Sequence, residues 1–125
     1  MSTQLPRVAG GRLYDPAWPG SSLGLDSAGW FAWLEAETTE RFSYPLFDPC
    51  RGYIVGFMTV RKERRQRGGT YWSVFRREGK RVRKIYLGGS QKLTQARLAA
   101  VAERLRRGQV ASRGTEEQDE GSKPH

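Results

Sequence analysis

Between Arg61 and Lys84 the chain reads RKERRQRGGTYWSVFRREGKRVRK, eleven Lys/Arg against the two acids Glu63 and Glu78, with Tyr71, Trp72, Val74, Phe75 and Val82 threaded among the charges. A disordered basic tail has little use for aromatic and β-branched residues, which favour a pleated, half-buried surface. The stretch therefore predicts strands that display charge. The charge is also concentrated. From Arg51 to Arg107 seventeen Lys/Arg stand against three acids, giving +14, so the rest of this +9 chain sums to −5. Such local charge repels itself unless a polyanion relieves it.

The remaining composition removes several chemistries. Cys50 is the single cysteine and His125 the single histidine, so an intrachain disulfide, a Cys/His zinc site and a His-dependent triad are all out of reach. The acids of the basic part are isolated among arginines, and no enzyme, catalytic residue, cofactor or metal is expected. No apolar run approaches the roughly 18 residues of a membrane span, and a hydrophobic signal core is missing at the N-terminus. A cytoplasmic protein with no membrane partner is the expectation.

At 125 residues the chain suits one small domain with tails. Residues 1–25, rich in Pro, Gly and Ser, read as a flexible arm, with Trp18 either folded back or exposed. A helix over about 26–38 follows, with Asp26 as its N-cap and Trp30, Trp33 and Leu34 on one face. Phe42, Tyr44 and Leu46 suggest a short edge strand, because Pro45 is tolerated only at an edge. Strands are predicted over about 53–64, 70–77 and 80–87, and a helix over about 94–107 with Thr94 as N-cap and Leu98, Val101, Ala102 and Leu105 as its apolar stripe. Residues 108–125 read as a disordered acidic tail. The predicted fold class is α+β: a three-stranded antiparallel sheet packed against a C-terminal helix, with an extra N-terminal helix.

Alternation then divides the side chains between two faces. With Glu78-Gly79 as a two-residue turn, Trp72, Val74 and Arg76 share a face with Arg81, Arg83 and Ile85, and Tyr71, Ser73, Phe75 and Arg77 share the other with Val82, Lys84 and Tyr86. A three-residue loop would exchange the partners of the last strand. The two-residue turn is preferred, because it gathers Tyr71, Phe75, Val82 and Tyr86 as the core set and leaves Arg76, Arg81 and Arg83 outside beside Trp72. Arg61, Arg64, Arg65 and Arg67 then rim the sheet and loop. These eight residues are the candidate DNA-binding set: arginines suited to bidentate contact with guanine or phosphate, and Trp72 packing beside them.

The run from Thr59 to Leu105, with WFAWLE ahead of it, resembles a short module at the N-terminus of large LuxR-type (MalT-like) bacterial transcriptional regulators, which also occurs as short separate proteins. The match is carried by Thr59-Val60-Arg61-Lys62-Glu63, Gly68-Gly69, Tyr71-Trp72, Arg76-Arg77, Tyr86-Leu87-Gly88, Leu93-Thr94 and Arg97-Leu98. The β-β-β-α order and YWSVFRREGKRVRK are also similar to the arm-type DNA-binding domain of tyrosine recombinases and to the AP2-like fold. The resemblance implies a DNA-binding module serving bacterial transcriptional regulation. The chain carries no GxxxxGK[ST] loop, and neither the ATPase activity nor the LuxR-type promoter binding of the larger regulators is implied.

Double-stranded DNA is thus the expected partner. RNA or single-stranded nucleic acid, stacking on Trp72 and Tyr71, is the first rival. A protein partner is the second, reached through the exposed third strand or through Trp18, Trp30 or Trp33.

Overall fold

The computed structural model describes residues 5–111, with side chains through Arg107. Strands β1 (Arg7–Ala9), β2 (Arg12–Tyr14) and β3 (Leu23–Gly24) precede helix α1 (Ala28–Glu35). Four longer strands follow: β4 (Arg41–Asp48), β5 (Tyr53–Arg64), β6 (Thr70–Glu78) and β7 (Arg81–Gly88). A short 3-10 turn at Ser90–Lys92 leads into helix α2 (Gln95–Ala111). All seven strands form one mixed sheet in the order β3-β2-β1-β4-β5-β6-β7. This overturns the expected three-stranded sheet. The β5-β6-β7 meander is present, but it is one side of a sheet more than twice as wide.

The expected N-terminal arm supplies the difference. Ala9 pairs with Arg12 around Gly10-Gly11, whose φ angles of 60° and 77° suit a tight two-residue hairpin that a side chain would strain. Val8 and Leu13, opposite each other, are buried, while Arg7 and Arg12 stay out. Residues 7–9, 12–14 and 23–24 therefore belong to the sheet. The expected acidic tail lies outside the described residues from 112 onward, and residues 108–111 continue α2.

Nor is β4 an edge strand. It pairs antiparallel with β5 along its whole length and meets β1 in parallel at Arg7 and Ser43. Pro45 explains the asymmetry. The Ser43 N–H donates to Pro6 O at 2.9 Å, and two residues on Pro45 has no N–H to offer on that side, so the parallel ladder stops.

Both helices pack on one face. The core joins Trp30 and Leu34 of α1 and Leu98, Val101, Ala102 and Leu105 of α2 to Phe42, Tyr44, Leu46, Met58, Val60, Trp72 and Val74 of the sheet. Full burial of side chains this large stabilises by about 1.5–3 kcal/mol each before ordering costs. The indole N–H of Trp30 donates to Leu93 O at 2.8 Å, and that of Trp72 to Ser90 Oγ at 3.0 Å, so the polar edges of both rings are satisfied. Ser27, not Asp26, caps α1, accepting from Trp30 N at 3.1 Å. Thr94 Oγ1 accepts from Arg97 N in the first turn of α2.

Candidate nucleic-acid interface

The face that the helices cover decides which cations are free. In the β6–β7 hairpin Glu78 pairs with Arg81, so the turn residues are Gly79-Lys80 rather than Glu78-Gly79. Arg76 faces Arg83, and Val74 faces Ile85. The partition of side chains between faces matches the two-residue reading, but the faces are inverted. Val60 lies opposite both Phe42 and Val74, which places Trp72 and Val74 in the helix-covered row. Tyr71, Phe75, Val82 and Tyr86 lie on the helix-free side, with Val82 57% and Tyr86 54% exposed. The expected basic face with Trp72 on it is thereby corrected. Trp72 is 0% exposed and can stack on no ligand in this conformation.

The other sequence-based candidates separate accordingly. Arg76 lies at the far end of the helix-side face, where its Nη1 donates to Phe57 O at 3.0 Å. Arg83 is 3.6 Å from the Glu78 carboxylate, and Arg81 is exposed beside the turn. Arg64 and Arg67 are exposed at the β5–β6 connection. Only Arg61 and Arg65 reach the helix-free face.

That face carries a grid of cations and rings. The Phe75 ring has the Arg61 guanidinium 5.1 Å and the Lys84 ammonium 5.3 Å from its centroid. Arg65 lies 4.8 Å over the Tyr71 ring and donates to Tyr86 Oη at 2.9 Å; the Tyr71 and Tyr86 rings are 5.5 Å apart. Farther across the sheet Arg7 stands 5.3 Å over Tyr14. Long side chains cover the strands so fully that Ser73, on this same face, is 0% exposed.

Glu63 is the acid within the grid. Its carboxylate is 3.1 Å from Lys84 Nζ and accepts from Tyr71 Oη at 3.3 Å. Burial alone would raise its pKa, but the hydrogen bond and charge of Lys84, with help from Tyr71, hold it below the usual carboxylate range. Glu63 therefore stays ionised and fixes Lys84 without neutralising the surface. Lys62 points to the other side: it donates to Ala36 O at 2.9 Å and stands 5.5 Å over the Trp72 ring, and burial lowers its pKa.

Arg77, Lys84, Tyr71, Phe75 and Tyr86 were missed as surface residues because both alternating sets mix apolar and basic residues. One signal separated them. The hydroxyls of Tyr71 and Tyr86 tolerate water, whereas Val74, Ile85 and Leu87 of the other row are aliphatic. Phe47, Ile54 and Phe57 are further exposed apolar residues of the β4–β5 hairpin. Among the described residues no helix is long and apolar enough to cross a membrane. Compared with known proteins, the chain matches no family model, no curated protein and no solved structure.

Proposed function

We propose that this protein binds double-stranded DNA through the helix-free face of β5, β6 and β7. The supporting observation is the pair of cations, Arg61 and Lys84, held on either neighbouring strand beside the single ring of Phe75. Contacts with rings order these long side chains before any ligand arrives, which lowers the entropic cost of binding. The same arrangement favours a duplex over a single strand, since Phe75 and Tyr71 already have cations at their faces and offer little bare stacking surface.

The free edge of the sheet gives access. β7 has a neighbour on one side only, so the β6–β7 ribbon can enter a major groove that admits two strands, while β1 to β4 remain outside. Arg77 and Lys84 then meet phosphates along the groove walls, and Arg61, Arg64, Arg65 and Arg67 lie where flanking phosphates pass.

Binding of the full chain to duplex DNA, single-stranded DNA and hairpin RNA, measured at several salt concentrations, tests the proposal. Duplex preference with a log–log salt slope of about −0.9 per phosphate contact is the expected result. Preference for single strands, lost on Tyr86→Ser, would replace it with stacking on that exposed ring. Selection from a random duplex pool tests whether the binding is sequence-selective, which a transcriptional role requires.

A further inference from the structure

Strand β5 outlasts its neighbour. β4 begins at Arg41, opposite Arg61, whereas β5 continues through Lys62, Glu63 and Arg64. The notch on that side is a cleft of about 150 Å3 lined by Thr39, Glu40, Arg41, Arg61, Lys62 and Arg64. Its lining holds four cations and one carboxylate, Glu40, and the Glu35 and Glu37 carboxylates also act on Lys62 from nearby.

Arg41 and Arg61 are directly opposed across antiparallel strands, a like-charge placement that destabilises a sheet. The other opposed arginine pair, Arg76 and Arg83, is relieved by Glu78, 3.6 Å from Arg83. Among the described residues neither Arg41 nor Arg61 forms an ion pair with a carboxylate. Both are exposed at the mouth of the cleft, and Phe75 steadies Arg61. Lys62 is tied to Ala36 O, which keeps its charge at the same place, and the nearly buried Thr39 adds a hydroxyl.

We infer that this cleft is a phosphate site, in which Arg41 and Arg61 hold one phosphate group from two strands and Arg64 and Lys62 add charge. Planar guanidinium groups match phosphate oxygens bidentately, and a bound phosphate anion relieves the repulsion between the opposed arginines. The inference rests on the duplex reading for one possible source of the group, a backbone phosphodiester; a free phosphate ion is the other.

The test is an amide NMR titration of the full chain with inorganic phosphate, against sodium chloride at matched ionic strength, followed by a DNA titration. Saturable shifts confined to residues 39–41 and 61–64, given by phosphate and not by chloride, are expected. Arg41→Gln should weaken phosphate at least about fivefold, which corresponds to roughly 1 kcal/mol. The same variant should raise Tm by roughly 1–5 °C in phosphate-free, low-salt buffer, because a like-charge opposition is gone. A merely structural arginine would lower Tm instead. Glu40→Gln should tighten phosphate.

Equal shifts from chloride, or an unchanged phosphate response in Arg41→Gln, would overturn the site. If phosphate shifts the cleft and DNA does not, the site stands with a free phosphate as its ligand. If DNA binds with the expected salt slope and phosphate leaves the cleft unmoved, this inference falls and the duplex reading stands.

Discussion

The Arg76 guanidinium occupies the space above Gly56 that a side chain would fill: a Cβ built on Gly56 comes within 2.8 Å of both Nη atoms. The β5–β6 ladder ends at Thr59 and Phe75, and Arg76 Nη1 continues the link by donating to Phe57 O. A charged side chain thus substitutes for a main-chain bond where two strands part. The absence of a side chain at residue 56 permits it.

Gly56→Ala should displace the Arg76 tip rather than the backbone, since the tip is the flexible partner. The loss is about that of one hydrogen bond to a charged donor, roughly 1–2 kcal/mol, read as a lower denaturation midpoint in urea. In Arg76→Ala the added methyl meets no guanidinium. The double variant should therefore be less unstable than the sum of the single ones, and strict additivity would refute the contact.

Asp26 has φ 69°, the one positive φ among the described non-glycine residues, and its Oδ1 accepts from Gln95 N at 2.7 Å. It caps the start of α2 from the opposite end of the sequence. Asp26→Ala loses the cap and keeps the left-handed backbone, at a cost of about 1–3 kcal/mol. Asp26→Gly loses the cap but relaxes the backbone, and should be the milder change by about 1 kcal/mol. Thermal melts of both variants check the order; a milder alanine would show that the backbone is unstrained.

What the sequence made legible was local. The β5 and β6 spans, the Leu98–Leu105 stripe of α2 and the pairing of Trp30 with Leu34 follow from periodicity and turn residues alone. RVAGGRLY also carried a hairpin signal, two glycines between a Val and a Leu that alternate with arginines, but the surrounding prolines masked it. The facing of the sheet was a different problem. Each alternating set of β6 and β7 contains rings and cations, and only the neighbouring rows of β4 and β5, fixed by long-range register, decide which set is covered. Because β4 was read as an edge, that information was absent. The inversion moved Trp72 from the candidate site into the core.

Glu63 gives the protein a pH response with a definite sign. Its folded pKa lies below that of an ordinary carboxyl, so its stabilising contribution is complete above the unfolded value and disappears as pH falls through the folded one. Tm should therefore decline as acid is added through this window. Glu63→Gln should flatten that part of the Tm–pH curve and release Lys84, 3.1 Å away. A curve of unchanged shape in the variant would mean that other carboxylates control the acid limb.

Arginines on the two faces provide an internal control for the proposed interface. Arg77 and Lys84 belong to the helix-free row of the β6–β7 ribbon, whereas Arg81 belongs to the helix-side row of the same hairpin and is also exposed. Removing any one of them changes net charge by the same unit, so long-range attraction alone predicts equal effects at low salt. Direct phosphate contact predicts a difference. Arg77→Ala and Lys84→Ala should each reduce the salt slope of duplex binding by about 0.9, while Arg81→Ala leaves the slope near that of the parent chain. Fluorescence anisotropy over a range of salt reads this directly. Urea midpoints within about 0.5 kcal/mol of the parent would confirm that Arg77→Ala and Arg81→Ala act at the surface and not through folding. An equal slope change in Arg81→Ala would place the DNA around the hairpin tip and not across the open sheet.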